Sequence, residues 1–127
     1  MNLLLDTHVF IWWDQQSSAL NAQARAAIED PGNNIYVSAA SVWEIAVKRQ
    51  RGKLRFSGSA FAAIGANGFH ELPILPLEAE EAGCLPWRHA DPFDRLLAAQ
   101  AMRLGMSLVT ADMAVRDFGA ITQLWAG

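Results

Sequence analysis

Four carboxylates lie where a charge is costly. Asp6 closes the apolar run NLLLD, Glu44 sits inside SVWEIAVK, Asp94 follows Asp91 in DPFDRLL, and Asp112 closes LVTAD. Glu44 is the only Asp, Glu, Lys, Arg or His between Asn33 and Val47, and its neighbours Val42, Trp43, Ile45, Ala46 and Val47 cover most faces of a helix. A carboxylate drawn inward this way must find a partner or take up a proton, since burying it unpaired costs roughly several kcal/mol. Lys48, one turn on, is such a partner if this face is solvated instead. Asp91 and Asp94 fall in the first turn of one helix, where the macrodipole favours negative charge. Capping accounts for Asp91, whereas Asp94 shares its face with Leu97, Ala98 and Ala101. Four such acids, unmatched by four nearby cations and without a Cys/His cluster, form a hard oxygen donor set suited to Mg²⁺ or Mn²⁺ rather than zinc. Such an ion activates water and neutralises a phosphodiester under attack. No G-x-G-x-x-G or Walker-type run offers another way of holding a phosphate.

The elements that must position these acids alternate in type. NLLLD reads as a buried strand over residues 2–6, THVFIWW as a turn entering a short helix, and SALNAQARAAIED as an Ala-rich helix stopped by Pro31-Gly32. NIYVS is a second strand. The helix of SAASVWEIAVKRQRGK has Ser38 as cap and Gly52 as stop. SGSAFAAIGANGF is a further helix ending near Asn67-Gly68, HELPIL a third strand, and PLEAEEAGCL a helix from Pro76 or just after. In DPFDRLLAAQAMRLG the N-cap is Asp91, Pro92 holds the first helical position and Gly105 ends the helix. MSLVTAD is a fourth strand ending in a polar turn, and AITQLW a fifth. Strands alternating with helices imply a parallel sheet covered on both faces, with ligands beyond the carboxyl ends of its strands. Asp6 and Asp112 both follow a strand, so the architecture puts these acids at its binding crevice.

The 127 residues suffice for a single domain over 1–127, and 52% hydrophobic against 18% charged residues makes it globular. A net charge of −3 excludes a basic nucleic-acid coat but not an enzyme that meets nucleic acid through cations. Five Trp hint at a partner surface. The lone cysteine, Cys84, excludes an internal disulfide, reads as a small core residue and fits a reducing compartment. No apolar run approaches the ~20 residues that span a bilayer, and the N-terminus lacks a signal-peptide pattern. A cytoplasmic protein with no membrane association is expected.

LLLDTHVFIWW, YVSAASVWEIAVK, DPFDRLLAAQAM and LVTAD, in this order, closely resemble the PIN-domain ribonuclease toxins of bacterial toxin–antitoxin pairs, the VapC type. The resemblance runs from residue 1 to about residue 118. It implies a three-layer α/β/α domain with a central parallel sheet of four to five strands. It also implies hydrolysis of RNA with Mg²⁺ or Mn²⁺, commonly by a homodimer, leaving a 3′-hydroxyl and a 5′-phosphate. Asp6, Glu44 and Asp94 would be the core metal ligands, and Asp112 a ligand to a second ion or an orienter through water. Thr7 and Thr110 would tune the site as hydroxyl donors. The implied partner, besides RNA, is a cognate VapB-like antitoxin whose C-terminal segment covers the active-site groove, often placing an Arg among the acids. Trp12 and Trp13 would suit such a groove, or belong to the core of the first helix.

Lys48 and Arg51, within the only basic cluster, and Arg95 beside Asp94 are candidate RNA contacts, with a solvated helix end as the simpler reading. His8 stands close enough to Asp6 to meet phosphate or metal, whereas His70 and His89 show no ligand spacing and read as surface or capping residues. Two rival functions are a non-catalytic adaptor on the same fold, which predicts lost acids, and an aspartate-based phosphatase. The phosphatase wants a second Asp two positions after Asp6, where His8 stands.

Overall fold

A computed structural model describes residues 1–127. Five strands, β1 (Asn2–Leu5), β2 (Asn34–Ser38), β3 (His70–Leu72), β4 (Ser107–Thr110) and β5 (Gln123–Trp125), form one all-parallel sheet in the order β3-β2-β1-β4-β5. Seven helices connect them: α1 (Thr7–Asp14), α2 (Ala22–Glu29), α3 (Ala39–Gln50), α4 (Ala60–Ala66), α5 (Pro76–Cys84), α6 (Pro92–Leu104) and α7 (Met113–Arg116). The continuous apolar run of β1 follows from burial on both faces. Leu3 and Leu5 point into a core with Val9, Phe10, Ile28, Val37, Ile45 and Val109, while Leu4 points to the other side with Leu97, Ala98, Leu108 and Val115. The chain runs outward from β1 through β2 to β3, then returns to place β4 on the opposite side of β1. The switch point therefore lies between β1 and β4, where Leu5 is in register with Val109.

Asp6 ends the strand pairing rather than belonging to it. Its N–H still donates to the Val109 carbonyl (2.9 Å), but its side chain caps α1 by accepting from the Val9 N–H (2.9 Å). The expected strand over 2–6 is thus one residue shorter. Likewise, HELPIL supplies only His70–Leu72, because Pro73 has no N–H with which to extend the ladder. The Ala-rich helix starts at Ala22 because Asn21 caps it through the Ala24 N–H (2.8 Å). Where the sequence suggests only a polar turn after β4, Asp112 caps the short helix α7, accepting from the Ala114 and Val115 N–H groups (2.8 and 3.4 Å). Cys84 is not a core residue: it ends α5 on the exposed side of that helix.

The α6 signals hold in full: Asp91 accepts from the Phe93 and Asp94 N–H groups, and Gly105 closes the helix in the left-handed region at φ 64°. Helix α1 ends in the same manner with a residue less suited to it. Gln16 takes φ 52°, and the Ser17 N–H reaches back to the Trp12 carbonyl (2.8 Å). A side chain there costs about 1 kcal/mol that glycine avoids, less glycine's extra freedom in the unfolded chain. Gln16→Gly is expected to stabilise the fold by about 0.5 kcal/mol, read as a higher urea midpoint at unchanged m-value.

Candidate metal centre at the sheet switch point

The acids are brought in from four elements. Asp6 follows β1 and is only 5% exposed; Thr110, the last residue of β4, donates its hydroxyl to Asp6 Oδ2 (2.5 Å) and accepts from the Asp112 N–H (3.1 Å). One threonine therefore ties the two strand-end acids together across the switch point. Asp6 and Asp112 also line a common cavity of about 110 Å³ with His8, Trp12 and Ala111. Burial drives the Asp6 carboxyl above its ordinary value, against the hydrogen bonds from Thr110 and Val9.

Glu44, 3% exposed in α3, does not lie on a solvated face, yet it has the Lys48 partner that such a face would have offered: Oε1 accepts from Thr7 Oγ1 (2.5 Å), whose hydroxyl also lies 3.0 Å from that of Ser41, while Oε2 binds Lys48 Nζ. Burial alone would lower the Lys48 ammonium. The hydrogen bond and charge of Glu44, with the charges of Asp91 and Asp94, instead hold it above its ordinary value. Its Nζ stands 5.9 Å from the Phe93 ring centre, between α3 and the start of α6.

Asp94 is also raised. Burial first, then the charges of Asp91, Asp112 and Asp6, push its carboxyl from 3.8 to about 7, while a hydrogen bond from His89 opposes the shift. That bond joins His89 Nε2 to Asp94 Oδ2 at 2.7 Å. One ligand atom from each of His89, Asp94 and Asp112 lies within 4.8 Å of the other two. The structure thus brings Asp94 and Asp112 together directly, with Asp6 joined to Asp112 through Thr110. Glu44 does not join this set, since its carboxylate is taken by Thr7 and Lys48, and Asp6 also stands outside it, held by Thr110 and Val9.

Two sequence expectations change here. His89 is not a surface or capping residue but stands at the acids; no spacing motif marks it, because it reaches them through a loop. Arg95 is not available to RNA. Its guanidinium spends all five N–H directions on the carbonyls of Ala82, Gly83, Leu85, Trp87 and His89 (2.7–3.3 Å), holding the loop between α5 and α6. Arg51 is exposed at the C-cap of α3. Trp12 and Trp13 are half-buried and pack on the larger core.

A parallel sheet with carboxylates gathered at its switch point defines a class of α/β protein, and comparison with known proteins gives its members. The PIN domain family model matches residues 3–120, and the chain belongs to this family. Ribonuclease VapC22 of Mycobacterium tuberculosis is 33% identical over 118 residues, covering 91% of this chain and 90% of that protein, which sets the chain among the VapC-type members. The fold is shared with VapBC2 of Rickettsia felis, solved bound to a promoter DNA fragment, at TM-score 0.70 and 12% identity over 100% of both chains. It is also shared with VapBC-1 of nontypeable Haemophilus influenzae (TM-score 0.58, 17% identity, 98% and 97% covered) and FitAcB of Neisseria gonorrhoeae (TM-score 0.55, 19% identity, 96% of each). No helix is long and apolar enough to cross a membrane.

Proposed function

We propose that this protein is a metal-dependent endoribonuclease, the toxin of a toxin–antitoxin pair, that cleaves RNA phosphodiester bonds with Mg²⁺ or Mn²⁺ at Asp6, Glu44, Asp94 and Asp112. The single observation that carries this reading is the excess of negative charge at the switch point. Asp94 is desolvated and repelled by Asp91, Asp112 and Asp6, and the nearby ammonium, Lys48, is already bound to Glu44. Carboxylates so placed fit a hard divalent cation, which would neutralise them and match their oxygen donors. When bound, such an ion supplies Lewis acidity toward a phosphodiester and a water that is nucleophilic at neutral pH. Asp94 and Asp112, whose donor atoms lie within 4.8 Å of each other, would hold it; Asp6 is oriented by Thr110 and Val9, and Glu44 by Thr7.

The relatives also support a partner. Structures sharing this fold are VapBC and FitAB toxin–antitoxin complexes, and we infer a cognate antitoxin here; a homodimer as the working unit is inferred from the family resemblance alone. An apolar groove of about 480 Å³ between α3, α4 and β3, flanked by Trp43 (57% exposed) and Phe61 (63% exposed), suits the apolar side of a protein partner. Neither rival function gains from the geometry. An adaptor would not need to retain the acids, and Asp6, whose two oxygens both accept hydrogen bonds, is poorly disposed to attack phosphorus.

The test is RNA cleavage by protein purified free of any partner. Activity should require Mg²⁺ or Mn²⁺, stop on addition of EDTA and return when the ion is restored. Cleavage that survives exhaustive chelation would overturn the metal-dependent reading.

A further inference from the structure

We propose that His89 is itself a ligand to the divalent ion, beside Asp94 and Asp112, and that its nitrogen makes the site prefer Mn²⁺ over Mg²⁺. This deepens the reading of the acids as a metal centre and rests on it. The first ground is spacing. In a six-coordinate site with bonds of about 2.1 Å, neighbouring donors lie about 3 Å apart and opposite donors about 4 Å apart. His89 Nε2 lies 2.7 Å from Asp94 Oδ2, and the full set with Asp112 falls within 4.8 Å, so small side-chain rotations bring all three onto one ion.

The second ground is that the imidazole is held in place from two sides. Arg95 fixes the backbone of its loop, donating to the carbonyls of Trp87 and His89 (2.7 and 3.1 Å) among others. The Trp87 ring packs on His89 (centroids 4.9 Å apart) and stacks on Phe118 (4.5 Å, planes 6° apart). Phe118 lies just beyond α7, the helix capped by Asp112. The aromatic stack therefore links the loop that presents His89 to the element that presents Asp112, and His89 itself links to α6 through Asp94. Both halves of the donor set are locked to the same histidine.

The third ground is donor chemistry. Mg²⁺ takes oxygen donors and gives up water reluctantly, whereas Mn²⁺, though the weakest binder among the first-row transition ions, accepts an imidazole nitrogen beside carboxylates more readily than Mg²⁺ does. Two other histidines compete for such a role. His70 sits on β3 at the sheet edge with its ring on Tyr36 (5.0 Å). His8 is the better rival, because it lines the cavity shared by Asp6 and Asp112.

Mn²⁺ bound to the full chain above neutral pH, read by pulsed electron paramagnetic resonance, decides the matter without reference to catalysis. Wild-type protein should show hyperfine coupling from a directly bound nitrogen, and labelling histidine with the heavier nitrogen isotope should change its pattern. The coupling should vanish in His89→Gln and remain in His8→Gln. Calorimetry should show the Mn²⁺ over Mg²⁺ preference falling about tenfold or more in His89→Gln. Bound Mn²⁺ without nitrogen coupling in the wild type, or coupling lost only in His8→Gln, would overturn the role of His89 and leave the metal centre standing. Failure of the wild type to bind Mn²⁺ at all would overturn the metal centre as well. If His89→Gln fails to fold, histidine-nitrogen coupling that survives in His8→Gln and in His70→Gln still assigns it to His89, and its loss in either overturns the assignment.

Discussion

Asp94→Asn should lower metal-dependent RNA cleavage on the order of 10²–10³-fold while leaving the metal-free protein as stable as the wild type or more so. The two halves of this outcome share one cause. In the proposed function Asp94 gives its charge to a bound cation, and without the cation that charge is a burden: burial and the charges of Asp91, Asp112 and Asp6 hold the carboxyl at about 7 against 3.8 in an unfolded chain. Above neutral pH the folded metal-free protein must keep this carboxylate ionised among like charges, at a penalty on the order of a few kcal/mol. An amide of the same shape removes the repulsion and can still hydrogen-bond His89. The melting temperature in EDTA should therefore hold or rise by several degrees, while RNA cleavage with saturating Mn²⁺ collapses. A side chain needed only for packing would lose stability along with activity. Parallel loss of both in the Asn variant would contradict the role given to Asp94.

In EDTA, stability should fall as pH rises from about 4 to about 7, the reverse of an ordinary acid-labile protein. The sign follows from which state holds the protons. Asp94 is raised to about 7 in the folded state, and burial raises Asp6 in the same direction, so across this window the native protein keeps the Asp94 proton that the unfolded chain has released, and each unit of pH favours unfolding. Glu78 acts in the opposite sense at lower pH. Despite the pull of burial, hydrogen bonds from the Leu75 N–H, Arg103 and Gln100 hold it below 4.5, so its contribution is present above that value and lost as pH falls further. Lys48, raised from 10.5, contributes throughout the window and does not shape it. A saturating divalent ion neutralises the raised pair and should flatten or invert the slope, with protons released on binding below about 7. Urea midpoints across the window, with and without Mn²⁺, supply the measurement. A metal-free midpoint that climbs steadily through this range would refute the assignment.

The four acids were visible one at a time, each by a local conflict between charge and setting: Asp6 and Asp112 at strand ends, Asp94 in a helix start with apolar companions, Glu44 amid apolar neighbours. The hydrogen bonds that orient them were less visible. Thr110 bonds Asp6 across 104 positions of sequence, and Thr7 bonds Glu44 across 37. His89 left no mark, because a histidine in a loop announces nothing until the loop is placed. Arg95 misled for the same reason: beside an acid it resembles a phosphate contact, yet five carbonyls converge on it in space.

Local order of residues specified every element but α7, and the face on which chemistry could occur. Caps, Pro92, Gly105 and the apolar run of β1 act through backbone hydrogen bonds and side-chain burial within a few residues, and those forces are written in the order of neighbours. Tertiary structure alone decided which groups share a charge environment: Lys48 on Glu44, His89 on Asp94, Cys84 exposed at a helix end, Arg95 turned to the loop. Electrostatic and hydrogen-bond partnership depends on distances of a few ångströms between distant parts of the chain. Those distances exist only once the sheet has closed β4 against β1.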